Sequence, residues 1–492
     1  MAFRPIIIKL IQPKPMRKSK FRKLRLQLLS LFLFITMVFP SKAQDSSYVL
    51  SPADFLNIVR TFHPVIKQAD ITVEKARAGI TIARGEFDPY FYLNSDQKTF
   101  DGKNYFRYTN PELKIPTWYG IEVKAGLENN GGDFLNSEVT PGKTSYAGIS
   151  VPLAKNLVMD KRRAALRQAG IFKNQSMAER DILINDILLD AYYAYWNWVQ
   201  ASWNYEVITN TVKVNETRFR LVKMAFQLGD RPAIDTTEAL AQLEAFRFME
   251  SESKLRLNNS ALELSNFLWK ENNEYYELPA LTVSSIRPEK SIATLAEIPD
   301  LMSMLETIPA SHPKLRFYNF KLSGLEVDRK LKFQELLPTV NLRTNILNKG
   351  YNVLSNIQKN AFYENNNKFG IEVGIPLRFS KGRGEYKMAK LKIKETNLEV
   401  AMLKQQLINK TKFYFNELTG LQQQVKQYES VYNNYQLLLK GEELKFRSGE
   451  SSLFLLNNRE NKVLETSLKL NELKIKFLKS QASLQWAAGL LK

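Results

Sequence analysis

The chain has 492 residues, enough for more than one ordinary domain, and a formal net charge of +20. It contains no cysteine, which excludes disulfides, thiolate metal sites, cysteine nucleophiles and an acylated cysteine anchor. Its only histidines, His63 and His312, leave almost no material for histidine-based catalysis or metal binding.

Residues 1–43 read as a secretory signal. Arg17, Lys18, Lys20, Arg22, Lys23 and Arg25 precede an apolar run at residues 26–39, and the small-residue site Ser41-Lys42-Ala43 follows. Met16 serves this layout as well as Met1 does. The run is too short for a comfortable membrane span. Ten Lys and Arg and no acid fall in this segment, so the rest of the chain carries only +10, a weak basis for binding nucleic acid. No other long apolar helix follows, so any passage through a membrane must be a β-barrel.

Ser51-Pro52-Ala53-Asp54 opens a short helix with Ser51 as its N-cap. His63-Pro64 begins a second helix, residues 65–86, ended by Phe87-Asp88-Pro89. Residues 90–98 and 145–151 read as strands, the second stopped by Pro152. From the N-cap Asp160 a helical pattern runs to Leu228, about 100 Å at 1.5 Å per residue. Gly229-Asp230-Arg231-Pro232 is a turn, and Asp235-Thr236-Thr237-Glu238 reads as a capping box that restarts the helix as far as Trp269. Residues 270–310, with Pro279, Pro288, Pro299 and Pro309, form an irregular link.

The second half repeats this order. His312-Pro313 begins a helix that ends near Pro338. Residues 340–346 and 369–375 alternate as strands, and Pro376 stops the second. Residues 386–446 form a long helix whose apolar positions Tyr414, Leu418, Leu421, Val425, Tyr428, Tyr432, Tyr435 and Leu439 step by four and three, the seam of a coiled coil. After the turn Ser448-Gly449-Glu450 a last helix keeps that rhythm through Leu464, Leu468, Asn471, Ile475, Leu478 and Ala482. His63 to Pro89 and His312 to Pro338 are both 26 residues, and Gly229 to Trp269 and Gly449 to Gly489 are both 40. The chain therefore divides into a signal (1–43), a first repeat (44–269), a link (270–310) and a second repeat (311–492).

The expected fold is mainly α with a β-barrel portion. Long antiparallel coiled-coil helices join four membrane strands per chain, internally duplicated and closing as a trimeric α/β barrel. Four strands cannot close a barrel alone, and an open edge cannot sit in lipid, so three copies with twelve strands are expected. A further alternating run, residues 118–128, reads as a fifth strand. The return of the chain at Pro152 demands an even number of crossings. The run is therefore either an external hairpin, the favoured reading, or paired with a sixth strand near residues 104–108.

The chain resembles the TolC-like outer-membrane efflux proteins, the outer membrane factors. The first half carries this in Gly148-Ile149-Ser150-Val151-Pro152-Leu153, Ala194-Tyr195-Trp196-Asn197 and Phe226-Gln227-Leu228-Gly229-Asp230. The second half carries it in Leu337-Pro338-Thr339-Val340-Asn341-Leu342, Phe446-Arg447-Ser448-Gly449 and Ala487-Ala488-Gly489-Leu490-Leu491. The resemblance implies a homotrimeric exit duct in the outer membrane, surrounded by lipid and extending into the periplasm. It also implies docking to a periplasmic adaptor (a membrane fusion protein) and an inner-membrane RND or ABC-type transporter, in a tripartite efflux or type I secretion system. Drugs, small molecules or proteins would be its cargo, with no cofactor.

The resemblance places Asp235 where the family uses a tip aspartate to hold the periplasmic entrance shut. The family's second-half carboxylate ring falls here on Leu455 and Asn458, so that ring is absent or moved. Asp235, Glu238, Arg447, Asn457 and Asn458 are the expected gate. Leu228, Gly229, Asp230, Ser448, Gly449, Glu450 and Ser451 are the expected adaptor-docking turns. Pro89, Pro152, Pro338 and Pro376 mark the strand–helix transitions. His63 and His312 read as helix caps rather than ligands. The aromatics Tyr192, Tyr193, Tyr195, Trp196, Trp198, Trp203 and Tyr205 read as interhelix packing. No phosphate loop, nucleophile elbow or metal spacing occurs, which argues against an enzyme. A secreted coiled-coil structural or adhesive protein is the alternative, and the duplicated strand–proline segments argue against it.

Overall fold

A computed structural model of the protein describes residues 49–279, 282–286, 298–352 and 366–491. The signal segment 1–43 and Pro288 of the link lie outside the described residues. Eight helices are described: α1 Pro52–Phe62, α2 Pro64–Gly85, α3 Lys161–Gln227, α4 Ala233–Ser265, α5 Leu301–Ser311, α6 Pro313–Gln334, α7 Ser380–Arg447 and α8 Leu453–Ala487. Six strands form one sheet: β1 Tyr90–Phe100, β2 Lys103–Pro116, β3 Glu122–Gly131, β4 Gly142–Pro152, β5 Thr339–Lys349 and β6 Asn367–Gly374.

The helix starts follow local chemistry. Ser51 caps α1 by accepting the Asp54 amide at 3.1 Å, and Asp160 caps α3 by accepting the Arg163 amide at 2.8 Å. His63 and His312 cap α2 and α6 through Nδ1, each accepting an amide two residues on (Val65, 3.3 Å; Lys314, 3.2 Å), with proline in the first turn. The matched helices have matched lengths: 22 and 22 residues for α2 and α6, 67 and 68 for α3 and α7, 33 and 35 for α4 and α8.

Two expectations about the helices change. The link is not irregular throughout, because α5 occupies Leu301–Ser311, capped by Asp300, which accepts the amides of Met302 and Ser303. The density of prolines hides it, yet Pro309 sits near its end, where few helical bonds remain to be lost. The expected capping box of α4 does not form either. Pro232, with extended backbone, precedes Ala233 and starts the helix without a side-chain cap, leaving Asp235 inside the first turn.

At the level nearest the sheet the helices pack in the order α2–α3–α6–α7; toward the far turns the order is α4–α3–α8–α7. Both levels are four helices wide. The seam of α7 faces α8: Leu418, Leu421 and Val425 are buried, as are Leu464, Asn471, Ile475, Leu478 and Ala482 across from them. The main core gathers Tyr195, Trp196, Trp198 and Trp203 of α3 with Phe55, Leu188, Phe477 and Leu484. The aromatic cluster is packing, and Tyr195 donates its hydroxyl to the Leu50 carbonyl at 2.8 Å.

The sheet is antiparallel throughout and its strands neighbour one another in chain order. This corrects the expectation of four strands with an external hairpin. The turn between β2 and β3 lies at the helix side of the sheet: Tyr90 pairs with Lys114, Glu122 pairs with Ser150, and Trp118 in the turn stacks on Phe87 at 4.3 Å. Glu122 is also bonded to Arg162 of α3 at 3.0 Å. The other reading, a sixth strand near residues 104–108, is the one the sheet has, and β2 runs further than that reading gave it because Pro111 interrupts its alternation and cannot donate to a ladder. There the Asn110 side chain accepts the Asn129 amide at 3.2 Å, patching the ladder beside the proline.

All six strands share one division of faces. One face carries Tyr92, Glu112, Gly126, Tyr146, Leu347 and their alternating neighbours Lys114, Lys124, Arg343 and Glu372. The other carries Phe91, Leu93, Leu113, Val123, Leu127, Ile149, Leu342, Phe369, Ile371 and Val373. The first is largely polar, the second largely apolar. Gly126 has a structural reason to be glycine, since the Tyr146 ring lies across it, 2.6 Å from where a Cβ would be, on its way to a 2.5 Å bond with Glu112.

Candidate functional site

The far turns are built by one device used twice. α3 ends with the Asp230 amide bonded to the Ala225 carbonyl, 2.9 Å, and Gly229 at φ +82°. α7 ends with the Glu450 amide bonded to the Lys445 carbonyl, 2.9 Å, and Gly449 at φ +79°. Each is a left-handed helix cap, which reverses the chain tightly and favours glycine. Leu228, Gly229 and Asp230 are exposed at one turn, and Ser448, Gly449 and Glu450 at the other, with Ser451 half-buried and bonded to Glu442.

The predicted gate residues fall into two groups. Glu238 of α4 accepts a hydrogen bond from Asn457 of α8 at 3.0 Å, so these two meet. Asn458 is exposed on the rim of the same groove, an open space of about 480 Å³ also bordered by Gln242 and Asn461, which bond each other at 2.8 Å. Asp235 does not meet Arg447. Its partner is Arg231, one turn back at 3.1 Å, whose guanidinium lies 4.0 Å from the Phe446 ring centre. This Asp235–Arg231–Phe446 chain joins the two turns. Arg447 itself is exposed.

Sequence reasoning missed the most buried ion pair near this end. Arg218 of α3 and Glu460 of α8 pair at 2.5 Å, with side chains 11% and 7% exposed, and Arg218 also bonds Asn215 at 3.1 Å. A signal was present: Glu460 falls four residues before Leu464 on the buried stripe of α8, where an apolar residue is expected. Arg459–Glu442, at 3.8 Å, links α8 to α7 in turn.

At the sheet–helix junction, Pro152 ends β4 opposite Asn341, and Leu153 and Lys155 bond the carbonyls of Val340 and Pro338 at 2.7 and 3.1 Å. Lys155 pairs with Glu335 at 2.6 Å. Pro89 and Pro376 are exposed, just before β1 and just after β6. Gly382 lets α7 start against the end of α6: a Cβ there would stand 2.5 Å from the Glu335 carbonyl oxygen.

The histidines act as caps. Burial lowers the His63 pKa, and burial, helped by the Lys314 charge, lowers that of His312 to about 4. Among the described residues, no group of three or more His, Cys, Asp or Glu is placed to hold a metal ion, and no helix is long and apolar enough to cross a membrane.

No known family description and no curated protein matches the sequence. Solved structures do match. They include the CmeC outer membrane channel of Campylobacter jejuni, at 14% identity over 89% of this chain and 85% of that one, with a TM-score of 0.61. The outer membrane protein VceC of Vibrio cholerae matches at 12% identity over 89% and 96%, with a TM-score of 0.61. The MtrE outer membrane channel of Neisseria gonorrhoeae, solved in its open state, matches at 14% identity over 90% and 89%, with a TM-score of 0.63.

Proposed function

We propose that this chain, which has the fold of the TolC-like outer-membrane channels, is the outer-membrane exit duct of a tripartite efflux or type I secretion system. It conducts drugs, small molecules or proteins passively and is not an enzyme. The observation that carries this is the six-stranded sheet, apolar on one face and polar on the other, set on helices about 100 Å long. The apolar face suits lipid, the polar face suits a wet lumen, and the helices are long enough to reach well into the periplasm. A secreted coiled-coil protein has no use for such a sheet.

Among the described residues the sheet ends at β1 on one side and at β6 on the other, and lipid does not tolerate an open sheet, so the duct is a homotrimer closed by pairing between copies. Residues 1–43 serve as the export signal. The segments 44–269 and 311–492 are two repeats of one unit, supported by their matched helix lengths, with 270–310 joining them. The far turns, Leu228 to Asp230 and Ser448 to Ser451, dock the periplasmic adaptor, which couples the duct to an RND or ABC-type transporter of the inner membrane. Asp235, Glu238, Asn457 and Asn458 form the gate, and the exposed Arg447 is free to contact a neighbouring copy. The test is fractionation: the protein is expected in the outer membrane as a heat-modifiable, SDS-resistant trimer. A monomer in the soluble periplasmic fraction would overturn the proposal.

A further inference from the structure

Resting on the trimeric duct proposed above, we infer that the barrel has eighteen strands, closed by β6 of each copy pairing with β1 of the next, and that its outlet is as wide as the helical tunnel below it. The number follows from the sheet. β2 and β3 are not an appendage: they lie between β1 and β4, hydrogen-bonded on both sides, and they carry the same polar and apolar faces in register. A hairpin outside the barrel would have no reason to keep Leu113, Val123 and Leu127 on the face shared with Phe91 and Ile149.

The register fixes the tilt independently. The hydrogen-bonded row through Tyr90 continues through Lys114, Lys124, Gly148, Asn345 and Lys368. Tyr90 is the helix-side end of β1, whereas Lys368 lies six residues from Gly374, the helix-side end of β6. The row thus climbs about 20 Å, at roughly 3.4 Å per residue, while crossing five strand intervals about 24 Å wide. The implied tilt of about 40° lies within the 35–45° of closed barrels.

At that tilt each strand takes up about 6.3 Å of circumference, so six take up about 38 Å. The helical layer nearest the sheet is four helices wide, which at 8–10 Å between axes is about 32–40 Å. Six strands match that arc, whereas four would cover only about 25 Å at the same tilt. At this tilt three copies give a barrel about 36 Å across between backbones, against about 24 Å for twelve strands of the same tilt. The outlet then does not narrow the path, and its cargo limit is that of the helical tunnel.

The edges suit a second copy. β1 runs away from the helices and β6 runs toward them, so a β6–β1 pair is antiparallel like every other pair in the sheet. Both strands are exposed along their whole length. Matching polar with polar faces sets Leu93 of one copy opposite Phe369 or Ile371 of the next.

The cysteine-free chain makes the test direct. Cysteine pairs are introduced as Leu93→Cys with Ile371→Cys and Leu93→Cys with Phe369→Cys for the closure between copies, with two twelve-strand controls: Leu93→Cys with Ile149→Cys, which meet only if β1 pairs directly with β4 and the β2–β3 hairpin lies outside, and Ala125→Cys with Ile371→Cys, which meet only if β1 and β2 lie outside. Each variant is purified as trimer, verified by native mass, and oxidised. One of the two Leu93–β6 pairs is expected to crosslink more than half of the copies into SDS-stable, heat-resistant dimers and trimers, whereas the Ala125–Ile371 pair is expected to form none and the Leu93–Ile149 pair is expected to keep both thiols free. A disulfide between Leu93→Cys and Ile149→Cys within one chain, crosslinking through Ala125, or crosslinking through no pair in an intact trimer would overturn the eighteen-strand barrel and leave the duct standing. Wild-type protein that is monomeric by native mass would overturn the duct itself, and this inference with it.

Discussion

Removing the Glu460 carboxylate is expected to loosen the far end of the helical layer more than any other single change there. Arg218 and Glu460 pair at 2.5 Å with side chains 11% and 7% exposed, and the pair joins α3 to α8. Truncating one member of such a pair leaves a buried charge without its counter-ion, at about 3–5 kcal/mol. Asn215, still bonded to Arg218, is neutral and offsets little of that. Local opening of α8 should therefore become roughly 100-fold to several thousand-fold more frequent in Glu460→Ala. The assay is amide hydrogen exchange over the first three turns of α8 in the purified protein, compared with the buried Trp-rich stretch of α3 as internal reference. The double variant Arg218→Met with Glu460→Leu removes both charges and should recover most of the protection, because an apolar pair of similar volume is often neutral or better. Exchange in Glu460→Ala within about fivefold of wild type, about 1 kcal/mol, would refute the reasoning. A double variant as labile as the single one would do so too.

Three further outcomes follow from the geometry. Asp235→Asn removes the charge paired with Arg231 in a half-exposed contact worth about 0.2–1 kcal/mol, so single-channel conductance should rise while trimer yield stays near wild type; unchanged conductance would confine Asp235 to its own turn. Gly382→Ala puts a Cβ against the Glu335 carbonyl and should destabilise the junction by about 1–3 kcal/mol, read as a lower Tm; an unchanged Tm would show that α7 can slide away from α6. His312, with a folded pKa lowered to about 4 from 6.5, binds its proton less readily when folded than when unfolded. Its contribution is therefore constant above pH 6.5 and is lost as pH falls from 6.5 toward 4, by up to about 3 kcal/mol per chain; His312→Asn keeps a capping side chain and should flatten that part of the Tm–pH curve, and an unaltered curve would refute the assignment.

The helices were legible in the sequence because their signals are local and redundant. The seam of α7, the caps Ser51, Asp160, His63 and His312, and the glycines at 229 and 449 each state the structure within a few residues. The sheet was half legible. Residues 142–152 and 367–374 alternate cleanly, but Pro111 breaks β2, and its repair by the Asn110 side chain depends on a partner strand that local sequence does not name. The same holds for α5, whose Asp300 cap is masked by surrounding prolines. At the far turns, the Glu238–Asn457 contact joins two residues that the sequence singled out separately. Asp235 chose Arg231 over Arg447 because a residue one turn away needs no third partner to be within reach. Arg218–Glu460 was missed for the opposite reason, since a charge on an apolar stripe reads as an interruption until the facing helix supplies its partner.

The central claim, an aqueous duct walled by this sheet in the outer membrane, is tested most directly at two adjacent positions of β6. Glu372 lies on the polar face and Ile371 on the apolar face. Single cysteines at each, in an otherwise cysteine-free chain, can be labelled in intact outer membranes with a water-soluble thiol reagent. Position 372 is expected to label readily and position 371 slowly. Faster labelling at 371 than at 372 would place lipid and water on the wrong faces and contradict the duct.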